Sequence, residues 1–247
     1  MSVDQPMIMM AALLLCGGST VIGSGAQAKG VCSDALGGEP AVPLAMARIV
    51  GPSPRSYFVL SESPKTPDCP STAAQCRARA FVVPGDDLVV VGGPVAGFRC
   101  AVYRSASGAE TTGFLPEAAL AISRDVEIKP EAFVGEWRRD DEASITLALA
   151  KGGRAITVDG AATYGGSDPE RVKRGDVNAG ELSGTVEPQG NSLALGDGYD
   201  GVGAPMPTDN FDCRARLRLF GRYLAVEDNS ACGGMNVTFS GFYTRTK

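Results

Sequence analysis

Between Cys213 and Arg245 the chain alternates between apolar and polar positions. Cys213, Ala215, Leu217 and Leu219 are interleaved with Arg214, Arg216 and Arg218. Successive side chains of a strand point to opposite faces, so this spacing predicts a strand with one apolar and one charged face. Phe220-Gly221-Arg222 predicts a short connection, Leu224 and Val226 one face of a second strand, and Asn229 to Gly234 a polar, Gly-rich loop. Val237, Phe239, Gly241 and Tyr243 alternate with Thr238, Ser240, Phe242 and Thr244, which predicts a third strand. Such a meander needs something to cover its apolar face.

Further strand signals precede it. One lies at Phe133-Val134-Gly135-Glu136-Trp137, and two flank the Gly152-Gly153 turn (Ile145 to Leu149 and Ala155 to Val158). Gly180 to Val186 and Ser192 to Leu195 predict a hairpin through Pro188-Gln189-Gly190. The sum is eight antiparallel strands over 130–247, enough to close an up-and-down barrel without free edges; a flattened sandwich of the same strands is the alternative. Ser123 to Pro130 is charged, ends in Pro and reads as a linker.

The first half begins with a Pro-rich, extended and turn-rich stretch, Cys32 to Pro70, with Tyr57-Phe58-Val59-Leu60 as an expected strand. This stretch is expected to wrap a neighbouring core, held by Cys32. Ala80 to Val83, Leu88 to Val91, Phe98 to Tyr103 and Glu110 to Pro116 are further strand signals, broken at Gly92-Gly93, with a helical turn at Glu117 to Leu120. Phe81, Phe98 and Phe114 are expected in the core, since large aromatics mostly pack inside. The fold class is therefore all-β.

Composition narrows the function. Net charge is −5, with no basic field to attract nucleic acid. His is absent, which removes His-based nucleophile and acid–base chemistry and most zinc sites. Met7 to Leu15 is an apolar run followed by small residues and Ala26-Gln27-Ala28, the order of a secretory signal cleaved after Ala28. The run is too short to span a bilayer, so no transmembrane segment is expected in the mature chain. The n-region carries Asp4 and no Lys or Arg. Lipoprotein anchoring at Cys16 is not expected, because Leu15 stands where a small residue is required.

Removal of the signal leaves six cysteines, which in an exported chain read as disulfides. Cys213 and Cys232 lie far from the other four and are paired. For those four, Cys69–Cys76 with Cys32–Cys100 is the preferred connectivity, with Cys76–Cys100 as the competitor.

Two resemblances follow from these patterns. The order Val82/Val83-Pro84-Gly85-Asp86, apolar strand, Phe98-Arg99-Cys100-Ala101-Val102-Tyr103, turn, Gly113-Phe114-Leu115-Pro116 resembles a bacterial SH3-like domain over about 77–121, with Phe114 where that family commonly has Trp. The resemblance implies a small β-barrel that binds peptidoglycan, peptide or another domain. Gly135-x-Trp137 at the head of the second half resembles the start of lipocalins and other calycin-like barrels. There the Trp packs across the closed end, which implies a structural role for Trp137 and Gly135. The helix expected after a lipocalin barrel has no counterpart here. The organisation expected is a signal peptide (1–28), an SH3-like domain with a Pro-rich extension (29–124) and a calycin-like barrel (130–247).

Candidate sites are sparse. Tyr164 to Asn178 carries Arg171, Lys173 and Arg174, an anion- or partner-binding candidate weighed against a plain charged surface, with Asp168 as the cap of a short helical turn. Arg214, Arg216 and Arg218 form a second candidate, a stripe on the barrel's outer wall whose other reading is a solvated face. Gly196 to Asp212 carries Asp197, Asp200, Asp209 and Asp212, oxygen ligands of the kind calcium takes, but their spacing fails the EF-hand pattern and a solvated loop is expected, with no metal and no cofactor. Asp140, Asp141 and Glu142 lie together after Trp137, and solvated carboxylates are expected there rather than catalysis. The expected function is non-catalytic binding in the periplasm or outside the cell, to cell-wall glycan or peptide or to a protein partner. Inhibition of a lysozyme-type hydrolase and carriage of a small apolar ligand inside the barrel are the alternatives.

Overall fold

The structure, a computed structural model, describes residues 31–33, 36, 42–123, 128–196 and 212–246. The expected signal with Cys16, the tip of the linker, and Asp197, Asp200 and Asp209 of the acidic loop lie outside the described residues.

The chain folds into two antiparallel sheets. The first is built from β1 (Leu44–Ile49), β2 (Ser56–Val59), β3 (Arg77–Val82), β4 (Asp87–Val95), β5 (Phe98–Arg104), β6 (Glu110–Pro116) and β7 (Leu120–Ser123), in the order β3-β2-β6-β5-β4-β1-β7. The second is built from β8 (Gly135–Arg138), β9 (Ala143–Leu149), β10 (Ile156–Tyr164), β11 (Asn178–Val186), β12 (Ser192–Gly196), β13 (Arg214–Phe220), β14 (Tyr223–Asp228) and β15 (Gly241–Arg245), in the order β11-β10-β9-β8-β15-β14-β13-β12. A six-residue helix, α1 (Pro169–Arg174), joins β10 to β11. The chain is all-β, and the eight-stranded sheet is nearly closed as a barrel.

The eight strands are those expected, but three details differ. β11 and β12, expected as a hairpin, share no ladder and form the two edges of the sheet, whereas the first and last strands, β8 and β15, pair directly. Side chains fill this seam: a Cβ on Gly184 would come within 2.7 Å of Leu195 Cδ2. The last strand starts at Gly241, not Val237. Residues before it are held instead by Asp228, whose carboxylate accepts from Thr238 Oγ1 (2.6 Å), Ser240 N and Phe239 N. Finally, Gly92-Gly93 does not end its strand; β4 passes through it with a register shift, Gly92 taking φ 70°.

In the first sheet two strands, β1 and β7, carry no expectation from the sequence pattern. β1 lies inside the sheet, between β4 and β7, although it comes from the Pro-rich stretch. Its LAMARI segment is itself free of Pro, so every backbone N–H is there to pair. Cys32 and Leu36, from the same stretch, pack on the neighbouring core as expected. The disulfides are Cys32–Cys100, Cys69–Cys76 and Cys213–Cys232, so Cys76–Cys100 does not form.

Three cores result. Ile145, Leu147, Ile156, Val158, Leu217, Leu219 and Phe239 fill the barrel together with Trp137, whose Nε1 donates to Phe133 O at 2.9 Å and whose ring lies under the Arg245 guanidinium. Gly135 opens the strand that carries this Trp. A second core lies on one side of the first sheet, around Ile49, Phe58, Leu88 and Leu115. The third lies between the sheets, where Val89, Val91, Val102 and Phe114 meet Phe220, Tyr223, Ala225 and Phe242 from the barrel's outer wall. Each large side chain buried there contributes about 1.5–3 kcal/mol. Polar bonds cross the same junction. The Tyr223 hydroxyl donates to Asp87 O (2.9 Å) and accepts from Arg104 N and Arg222 Nη2; burial pushes its pKa up. Arg104, itself buried, donates to the carbonyls of Phe242 (2.8 Å), Arg138 (3.2 Å) and Arg139.

Candidate functional site

The arginine stripe of β13 is not solvated. Alternation assigned its sidedness correctly, since Ala215, Leu217 and Leu219 enter the barrel core. The opposite face is covered by the rest of the chain, and Arg214 and Arg216 are buried. Across the ladder from Arg216 stands Glu227, also buried. It pairs with Arg216 Nε at 3.2 Å and with Arg218 Nη2 at 3.0 Å, and Arg218 Nη1 donates to Val42 O. The anion these arginines meet is supplied by the next strand.

The basic helix α1 forms as expected. Asp168 accepts from Glu170 N and Arg171 N, and Gly175 ends it at φ 74°, a left-handed conformation that glycine adopts without a Cβ clash. Its charges are partly absorbed locally: Arg174 pairs with Asp176 at 2.8 Å, and Arg171 lies over the Tyr164 ring while donating to Asp176 O. Lys173 is exposed. The helix borders a cleft of about 390 Å³ lined by Arg139, Glu142, Tyr164 and Thr238.

The three carboxylates after Trp137 are structural. Asp140 Oδ1 accepts from Glu142 N and Ala143 N, turning the chain into β9, while its Oδ2 pairs with Arg139. Asp141 pairs with Arg138. Glu142 holds the loop that leads into α1, accepting from Ser167 Oγ (2.5 Å), Ser167 N (2.9 Å), Gly166 N (3.0 Å) and Thr163 Oγ1. The Ser167 hydroxyl first, and then that of Thr163, favour the ionised form and hold its pKa down at about 2. A depressed folded-state pKa contributes stability above the unfolded value of 4.5, and that stability is lost as pH falls towards 2. The site is half open to water, so the contribution is discounted to about 1 kcal/mol. In Glu142→Gln, the drop in unfolding free energy from urea titration between pH 5 and pH 2.5 is expected to shrink by about 1 kcal/mol; an unchanged drop would show that the carboxylate is not the titrating group. Among the described residues no group of acids or cysteines is placed to hold a metal ion.

A different cluster went unnoticed in the sequence. β3 forms one edge of the first sheet, and Arg77, Arg79 and Phe81 stand on its outer face while Ala78, Ala80 and Val82 turn inward. Phe81, expected in the core, is 40 % exposed, whereas Phe98 and Phe114 are buried. Phe81 lies opposite Tyr57 of β2, with ring centroids 5.6 Å apart and tilted by 57°. The Arg55 guanidinium lies 4.4 Å from the Phe81 centroid and that of Arg77 3.5 Å from the Tyr57 centroid. The result is a row of Arg55, Phe81, Tyr57 and Arg77, with Arg79 beside it. Arg55 first, and then Arg77, lower the Tyr57 pKa. Among the described residues none of Arg55, Arg77 and Arg79 forms an ion pair, whereas Arg48, Arg99 and Arg104 each have an acid. The signal was legible in Arg77-Ala78-Arg79-Ala80-Phe81: in a period-two strand, small alanines mark the inward face and send the Phe outward.

The widest cavity described, about 1230 Å³, is a cleft where the two sheets meet, lined by Leu44, Met46, Ile122, Ile128 and Phe220 with Arg48 among its polar groups. The barrel lumen, in contrast, is filled by its own side chains: a Cβ on Gly160 would already sit 3.1–3.3 Å from Phe239, Leu182 and Ile145. No helix among the described residues is long and apolar enough to cross a membrane. No protein-family model, characterised protein or solved structure matches the chain.

Proposed function

We propose that this is an exported, non-catalytic binding protein of the cell envelope that recognises cell-wall material or a protein partner through the face made by Arg55, Tyr57, Arg77, Arg79 and Phe81. One observation carries it: three arginines with no acidic partner among the described residues, set beside the exposed Phe81 and the half-buried Tyr57, in a chain whose net charge is −5. Arg and aromatic side chains are the types that dominate binding energy at recognition surfaces. Three disulfides agree with an oxidising compartment. The resemblance of 77–121 to bacterial SH3-like modules supports the same reading, since this face lies within and beside that stretch.

Retention on purified cell-wall sacculi tests it. The double variant Arg77→Ala/Phe81→Ala should bind at least about tenfold more weakly, each side chain being worth roughly 1 kcal/mol or more. The control Lys173→Ala, on α1, should bind as the parent does. Equal retention of parent and double variant, with unchanged thermal midpoints, would sink this assignment. A second reading, carriage of a small apolar ligand, is favoured only by the cleft between the sheets and not by the packed barrel.

A further inference from the structure

We infer that the ligand of this face is a carboxylate-bearing glycan strand, an assignment that rests on the binding reading above and specifies its chemistry. Arg55 and Arg77 lie over aromatic rings without an acidic partner among the described residues, and a guanidinium so placed can still fork its N–H groups onto a planar oxyanion. Arg77 and Arg79 stand on one face two residues apart, about 7 Å along a strand, so successive anionic groups of one linear molecule can meet both. A single small anion would engage only one.

The aromatic rings select among polyanions. A single-stranded nucleic acid stacks successive bases on successive rings, but Tyr57 is half-buried with Arg77 over one face at 3.5 Å, which leaves Phe81 as the one exposed ring of the row. What remains is the exposed part of Phe81. A pyranose ring needs no more than that, because its C–H groups carry slight positive charge and rest against the negative face of an aromatic ring. A polyphosphate chain offers the anions without an apolar ring, and a neutral glucan offers the ring without the anions. A uronic-acid polymer offers both at a regular repeat.

Affinity electrophoresis of the full chain in gels containing polygalacturonate, dextran or inorganic polyphosphate separates these cases. Polygalacturonate should retard the protein, more weakly as salt rises. Methyl-esterified polygalacturonate and dextran should not. Arg77→Ala and Phe81→Ala should each weaken retardation about tenfold, and Arg77→Lys, which keeps the charge and loses the fork, by an intermediate factor. Polyphosphate binding as tight as polygalacturonate, or equal retardation by dextran, overturns the glycan assignment. Retention on sacculi that depends on Arg77 and Phe81, without polygalacturonate binding, overturns it too and leaves the proposed function standing. Loss of both takes down the two together.

Discussion

Glu227→Gln will destabilise the protein by about 3–5 kcal/mol, although the change is nearly isosteric. The carboxylate is 0 % exposed and lies between two guanidinia, Arg216 Nε at 3.2 Å and Arg218 Nη2 at 3.0 Å. Burial pushes the Arg218 pKa down, against the attraction of Glu227. An arginine does not shed its proton to escape such a site. Once the anion is gone, two cations remain in a poorly hydrated layer without the carboxylate that stood between them. Urea denaturation should show the loss as a shifted midpoint with an unchanged slope. Replacing the whole cluster, Arg216→Met/Arg218→Met/Glu227→Leu, should recover most of it, because the desolvation cost leaves with the charges. A Glu227→Gln loss below about 1 kcal/mol would mean that water screens the cluster.

Gly180→Ala is the second large effect expected, about 3 kcal/mol from a single added methyl. A Cβ on Gly180 would stand 2.2 Å from Cys232 O and 2.8 Å from Gly233 Cα, so backbone rather than a yielding side chain is in the way. The contact has a purpose. Gly180 bridges Gly233, Gly234 N donates to Ala179 O, and Asn178 Nδ2 donates to Met235 O, so the loop before β15 is tied to the first residues of the barrel's edge strand β11. The Cys213–Cys232 bond stops that loop from moving aside. Gly93→Ala, where a Cβ meets nothing within 4 Å and φ is not positive, should cost less than about 1 kcal/mol. In a Cys213→Ser/Cys232→Ser background the Gly180→Ala penalty should fall by half or more, a coupling that a double-mutant cycle measures. Full additivity would show that the disulfide does not hold the loop against β11.

Local physics explains which elements were legible beforehand. The eight strands of the second half were readable because each bears a period-two pattern bounded by Gly, Pro or Asn turns, as at Gly152-Gly153 and Pro188-Gln189-Gly190. α1 was readable because Asp168-Pro169 both caps and starts a helix. β1 was not, because the prolines around it outweighed six residues with little alternation. The face of Arg77, Arg79 and Phe81 is hidden from residue type for a related reason: a Phe reads as core, and its outward direction is set by Ala78 and Ala80 before it.

The sequence by itself determined the all-β class, the strands of the barrel, the Cys213–Cys232 pair and the inward set of the barrel's residues. Each follows from chain-local periodicity or from the spacing of a few cysteines, while the structure decided between the pairings of the other four cysteines. Only the tertiary structure decided what the outward set meets. Arg214, Arg216 and Arg218 point out of the barrel as their spacing requires, yet Arg214 and Arg216 are buried, Arg218 reaches Val42 O, and Glu227 pairs with Arg216 and Arg218. Arg77, Arg79 and Phe81 also point out, and they stay exposed at the sheet edge. A strand's alternation says which way a side chain faces, and the exposure of that face depends on contacts between residues more than a hundred positions apart.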